Sequence, residues 1–171
     1  MSMHVRDARP GNAMPVFALH VAASRRLGWS HYTDEQVRDW ADKRGGGPER
    51  YDTEDLRVAE RDGNVVGFGE WDDGEVLACY VHPDHARSGV GTALMERIHE
   101  ELRAAGHEQA TLTASLNAVA FYERHGYEAV ERHVLEPAGV EFPVVEMGRD
   151  LYSSCQYSSV IQGAGRISRC V

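Results

Sequence analysis

The densest chemistry in this chain lies in the run Tyr80-Val81-His82-Pro83-Asp84-His85-Ala86-Arg87-Ser88-Gly89-Val90-Gly91-Thr92-Ala93-Leu94. A strand ends at a proline, the loop after it carries Gly-x-Gly, and an amphipathic helix opens at once. Glycine puts no side chain between backbone and ligand. The first amides of a helix have no acceptor inside it, so a phosphate is the natural occupant of such a turn. Leu94 stands where a Gly-x-Gly-x-x-Gly fingerprint needs its third glycine, and no Gly-Lys-Ser/Thr follows. The loop is therefore neither a dinucleotide fingerprint nor a nucleotide-triphosphate loop. Cys79, just upstream, lacks a histidine and carboxylate at motif spacing and reads as inert core. His82-x-x-His85 spans a proline in a loop, and no cysteine or carboxylate set completes it, so no metal site is expected. His99 and His107 read as exposed residues toward a helix end.

The elements that position this run follow from spacing. Residues 3–9 read as a short edge strand, then Pro10-Gly11-Asn12 as a turn whose Asn12 can cap the next helix. Val16, Leu19, His20, Ala23 and Leu27 recur at helical spacing. Thr33 and Gln36 form a capping box for a second helix to about Lys43, which Gly45-Gly46-Gly47-Pro48 stops. Strands at 56–60, 65–71 and 75–81 form a meander turned at Asp62-Gly63-Asn64 and Asp72-Asp73-Gly74. The near-continuous apolar character of 75–81 predicts burial on both faces. Leu94, Met95, Ile98 and Leu102 mark the buried face of the helix from Gly89, which Gly106 ends. A strand at 109–113, a short helix at 116–125 capped by Ser115 or Asn117, and an antiparallel pair at 127–135 and 142–147 complete the order. The fold class is α/β (α+β), a mixed, mostly antiparallel twisted sheet of about six or seven strands with helices on both faces.

A chain of 171 residues suits one domain with a sizeable core, here 1–150. Beyond Asp150 the text is Ser/Gly/Cys-rich and aperiodic, so 151–171 reads as a disordered or non-native tail. The net charge is -9, which disfavours nucleic acid as a partner. No apolar stretch approaches about 18 residues, so no membrane span is expected. The three cysteines are odd in number and scattered, which suits a reducing cytoplasm rather than a disulfide framework.

A second cluster lies downstream: Ser115-Leu116-Asn117-Ala118-Val119-Ala120-Phe121-Tyr122, then Gly126-Tyr127. Together with Ala86-Arg87-Ser88-Gly89-Val90-Gly91 it resembles the two signatures of the GNAT superfamily of acyl-CoA-dependent N-acetyltransferases. The resemblance is strong over 75–127. The chain departs from the family at Ala86, where Gln or Arg is usual, and at Ser115, where Asn is usual. The resemblance implies a sheet splayed between strand 75–81 and strand 109–113, with the pantetheine arm of acetyl-CoA pairing along Tyr80 and Val81. A backbone N–H near Val81 would polarise the thioester carbonyl. Arg87, Ser88, Gly89, Val90, Gly91 and Thr92 would hold the pyrophosphate, and Ser115 or Asn117 would bond the cofactor. Tyr122 matches the family's usual general acid, here read as an exposed phenol. Glu75 sits where some members keep a base, and it shares strand parity with Leu77, Cys79 and Val81; Glu70 and a water chain are the alternatives.

The implied function is direct acetyl transfer from acetyl-CoA to a primary amine of a small molecule or peptide, with no metal. Trp29, His31, Tyr32, Trp40 and Tyr51 would border the acceptor. The resemblance leaves open a homodimer, acetylation of protein N-termini or lysines at an open groove, and a non-catalytic acyl-CoA-binding module.

Overall fold

Two tight hairpin turns set the centre of the sheet. Asp62 and Gly63 (φ 51° and 81°) and Asp73 and Gly74 (φ 42° and 85°) all adopt positive φ, the geometry of two-residue turns that match strand twist. They join β2 (Leu56–Arg61), β3 (Asn64–Asp72) and β4 (Glu75–Val81). The other elements of this computed structural model are β1 (Met3–Asp7), α1 (Ala13–Leu27), α2 (Asp34–Asp39), α3 (Val90–Ala104), β5 (Gln109–Ser115), α4 (Val119–Arg124), β6 (Glu128–Leu135) and β7 (Phe142–Asp150). The structure describes residues 2–27, 31–40, 47–53, 55–136 and 139–152. The expected end of the second helix at Lys43, Trp29, and the tail from 153 to 171 lie outside them.

The sheet has seven strands in the order β1-β2-β3-β4-β5-β7-β6. Every neighbouring pair is antiparallel except β4 and β5. α1 buries Val16, Leu19 and Ala23 against Leu56, Val58 and Phe68 on one face. α3 and α4 bury Met95, Ile98, Leu102 and Tyr122 against Leu112, Ala114, Val145 and Met147 on the other. Leu151, just past β7, is buried and its N–H donates to Glu108 O at 2.9 Å. Among the described residues no helix is long and apolar enough to cross a membrane.

α3 lies unusually close to β3. A Cβ on Gly67 would stand 2.6 Å from Val90 Cγ1 and 3.1 Å from Tyr80 O, and one on Gly69 would stand 2.7 Å from Ile98 Cδ1. Gly67→Ala is therefore expected to overpack this contact and cost about 1–3 kcal/mol, read as a lower urea midpoint at unchanged slope. An unchanged midpoint would mean α3 shifts freely. Glu101 locks the same helix from its outer face. It accepts from Arg57 Nε (2.8 Å), Trp71 Nε1 (2.8 Å) and Arg97 Nε (2.5 Å). Burial pushes its carboxyl up, but these bonds outweigh it and the net direction is down.

Four expectations are corrected. His99 is not exposed: it is buried in mid-helix, one turn after Met95 and so on the same face. β4 is not covered on both faces, since Leu77 is 43% exposed and the strand pairs with β5 only at its start. Asn12 does not cap α1 with its side chain; its Oδ1 accepts from Arg9 N (2.8 Å) and Arg6 (3.1 Å) instead. Neither Ser115 nor Asn117 caps α4, which opens from a 3-10 turn with Ala118 at its N-cap and no side-chain bond. The Thr33–Gln36 capping box is present as expected.

Candidate active site

The site begins as a gap in the sheet. β4 and β5 pair at Glu75↔Thr111 and Val76↔Leu112, then part, while β5 stays paired with β7 along its whole length. On the other side of β4, the register passes from Trp71↔Val76 to Glu70↔Ala78, so Leu77 is the extra residue of a bulge. His82 N–H donates to Val66 O at 2.9 Å. Alternation along an antiparallel pair then makes Tyr80/Phe68 and Ala78/Glu70 the bonded pairs. The amides of Cys79 and Val81 face away from β3, into the gap.

The bulge also reverses side-chain parity. Val76, Cys79 and Val81 pack on the α3 side, and Ala78 and Tyr80 on the α1 side. Glu75, exposed, therefore shares a face with Ala78 and Tyr80. The expectation that it shares parity with Cys79 and Val81 is wrong, because the bulge inserts one residue between them.

The wide end of the gap meets the glycine loop. A 3-10 turn at Pro83–His85 leads to Arg87 (φ 56°) and Gly89 (φ 84°), and the first turn of α3 has no side-chain cap. The amides of Val90, Gly91 and Thr92 thus sit at an open helix start. The Arg87 side chain is exposed and forms no ion pair among the described residues. Gly91 is needed for space, since its Cβ would meet the Phe121 ring at 3.0 Å. Ser88 builds the loop: its Oγ donates to His85 O (2.6 Å), while Arg61 donates to both Ser88 Oγ and Ser88 O (3.2 Å each). His125 Nδ1–H donates to Phe121 O at 2.8 Å, and its Nε2 meets the Thr92 hydroxyl at 3.2 Å. Neither Arg61 nor His125 carries a motif in the sequence; each is brought to the loop by packing.

Tyr122 lies on the α4 side of the gap. It is 8% exposed, so the reading of an exposed phenol is corrected. Burial, then its neighbours Cys79, Tyr80 and Tyr127, raise its pKa well above the ordinary value. Its hydroxyl makes no hydrogen bond among the described residues and is not itself sealed from solvent. Burial also pushes the Cys79 thiol up to about 12, consistent with inert core. Ser115 and Asn117 are both half-buried at the end of β5, and neither side chain is bonded among the described residues.

The α1 side is aromatic. His20 Nδ1 meets Tyr51 Oη at 2.9 Å, and its ring stands edge-on to Tyr80 at 4.6 Å. Glu70 is held by Arg50 at 3.2 Å, which ties up that alternative base. Among the described residues no metal-holding group of His, Cys, Asp or Glu is found. A cavity of about 330 Å³, bordered by Arg6, Asn12, Glu60 and His82, lies elsewhere; Arg6 and Glu60 pair across it at 2.6 Å.

Residues 28–148 match the acetyltransferase (GNAT) domain family. The N-acetyltransferase YafP of Escherichia coli, described as uncharacterised, is 25% identical over 142 residues, which cover 82% of this chain and 91% of that protein. A GCN5-related N-acetyltransferase from Rhodopseudomonas palustris superposes with TM-score 0.81 at 27% identity, covering 88% of this chain and 98% of that one. The PaiA N-acetyltransferase of Thermoplasma acidophilum, solved with coenzyme A, superposes with TM-score 0.70 at 16% identity, covering 88% and 99%.

Proposed function

Because the chain belongs to the GNAT family of acetyltransferases, we propose that it moves an acetyl group from acetyl-CoA to a primary amine of a small molecule or peptide by direct attack. The observation that carries this is the gap between β4 and β5, with two strand amides facing it and an uncapped helix at its wide end. The pantetheine arm resembles a peptide and fits beside an unpaired strand edge. A diphosphate fits the helix start. The PaiA relative, solved with coenzyme A, supports the same occupant.

Acetyl-CoA supplies the acetyl group as an activated thioester. The amides of Cys79 and Val81 donate along the gap. Cys79 is nearer the apex and so takes the thioester carbonyl, in place of Val81. Gly89, Val90, Gly91 and Thr92 cradle the diphosphate, with Arg87 as the cation and Ser88 as the brace of the loop. Ser115, at the end of β5, or Asn117, two residues beyond it, bonds the arm. Glu75, exposed on the α1 face, takes the proton of the incoming ammonium. Nitrogen bonds the carbonyl carbon, the carbon–sulfur bond breaks as Tyr122 gives its proton to sulfur, and the surplus proton on the new amide nitrogen passes through solvent to restore the Tyr122 phenol.

Thiol release from acetyl-CoA over polyamines, aminoglycosides, amino acids and peptides tests this reading. Turnover above the no-amine rate is expected for at least one class. Firm CoA binding with no turnover on any of them would favour the non-catalytic module instead. Light scattering on the same sample weighs the homodimer.

A further inference from the structure

The glycine loop is short of ties of its own. Arg87 and Ser88 make no backbone–backbone hydrogen bond among the described residues. Arg87 is held at φ 56°, where residues other than glycine rest only under constraint. The constraint comes from outside the loop. Arg61 is the last residue of β2, in register with Met3 of β1 on one side and Asn64 of β3 on the other, so the sheet fixes its backbone. Its Nη1 donates to Ser88 Oγ and its Nη2 to Ser88 O, at 3.2 Å each. His85 Nδ1 at 3.5 Å and Met3 Sδ at 3.6 Å complete its surroundings. This half-buried guanidinium forms no ion pair among the described residues.

The bond to Ser88 O decides where an amide points. Ser88 O and Gly89 N–H belong to one peptide, which is planar and trans, so the two point in opposite directions. Fixing the oxygen on Arg61 turns Gly89 N–H to the other side of the loop. Gly89 is left-handed (φ 84°, ψ -2°) and Val90 opens the helix, a pair that turns successive amides toward one point. A cation on the carbonyl also polarises the peptide, which makes its N–H a stronger donor.

We propose that Arg61 is a positioning residue for the diphosphate of acetyl-CoA, which acts through the Ser88–Gly89 peptide without touching the ligand. This rests on the acetyl-CoA reading above. Arg61 stands behind the loop and aims Gly89 N–H at the diphosphate, while Arg87 and the helix amides meet the ligand directly. The fork of the guanidinium suits the task, since it grips the Ser88 carbonyl and hydroxyl at once.

The test titrates the full chain with three probes, followed by backbone amide NMR shifts. CoA carries the diphosphate and the phosphate on the ribose, dephospho-CoA keeps only the diphosphate, and pantetheine has neither. Arg61→Met keeps the apolar stem and removes the donors. It is expected to weaken CoA and dephospho-CoA by the same factor, about tenfold, the scale of one charge-assisted hydrogen bond, and to leave pantetheine at its wild-type affinity. Arg61→Lys keeps the charge without the fork and should recover part of the loss, to about threefold. Should Arg61→Met fail to fold, Arg61→Lys carries the same three-probe comparison. A loss confined to CoA would put Arg61 on the ribose phosphate. An equal loss for pantetheine would make its role one of general stability. No loss for any probe would show that the loop holds itself. Each of these would overturn the assignment of Arg61 alone. A wild-type protein that binds CoA no more tightly than pantetheine would overturn the diphosphate site beneath it.

Discussion

Tyr122→Phe is expected to lower turnover about 100-fold, the usual scale of a positioned proton donor, while acetyl-CoA affinity stays at the wild-type level. Phenylalanine keeps the ring that packs edge-on to Phe121 (5.1 Å) and Tyr127 (5.8 Å), so the core around α4 is preserved. What is lost is one hydroxyl with no bonding partner among the described residues. Burial keeps that phenol protonated at every working pH, so it is always able to donate and never competes as a base. The departing thiolate needs a donor within reach in a nearly dry site; among the described residues Tyr122 and Tyr127 both lie near Cys79 on this face, and the Tyr127 hydroxyl is engaged by His99 at 2.8 Å, which leaves Tyr122. Steady-state kinetics and a separate CoA titration check the split. Equal losses in turnover and affinity would assign Tyr122 to binding, and unchanged turnover would remove it from the mechanism.

The second large effect is on stability. The folded protein is expected to lose stability as pH falls from about 6.5, the ordinary histidine value, because His99 holds out against protonation. Burial, then Arg149, Arg103 and His125, push its pKa down to about 3. Both ring nitrogens are engaged: Nδ1 accepts from Arg149 (3.1 Å) and Nε2–H donates to Tyr127 Oη (2.8 Å). The folded value lies below the unfolded one, so the unfolded chain binds the extra proton. The stability that His99 contributes is complete above the unfolded value and drains away toward the folded one, by about 1.4 kcal/mol per pH unit. Lowered carboxylates such as Glu60 and Glu101 add their own losses only below about 4.5, near the ordinary glutamate value. The window between isolates the histidine. Urea midpoints at pH 4.5 to 8 should fall steeply in wild type and more gently in His99→Gln. Parallel curves would show that His99 protonates in place. Arg149 also donates to His125 O at 2.6 Å, so the same buried network holds the end of α4 that carries Tyr122.

The sequence carried most of the fold because its signals are local. Asp62-Gly63 and Asp73-Gly74 can hardly be anything but tight turns, and each constrains only its own dihedrals. The Thr33–Gln36 box, the α3 stripe and the Gly89–Gly91 turn likewise depend on neighbours within a few residues. The order of elements and the helix start that faces the gap followed from these. The bulge at Leu77 was not legible, since a bulge is defined by the strand opposite; missing it put Glu75 on the wrong face. His99 was misread because its polarity argued for the surface, while Arg149 and Tyr127, 50 and 28 residues away, satisfy both nitrogens inside.

By itself the sequence determined where a glycine turn opens onto a helix start and which two stretches flank it, because glycine, proline and helix periodicity act through the backbone at short range. Only the tertiary structure decided what surrounds that turn. It set the gap between β4 and β5, the burial of Tyr122, the grip of Arg61 on Ser88 and the reach of Trp40 to Tyr80. Each of these joins residues 27 to 40 or more positions apart, and such contacts are chosen by packing against strands and helices whose positions no local signal records.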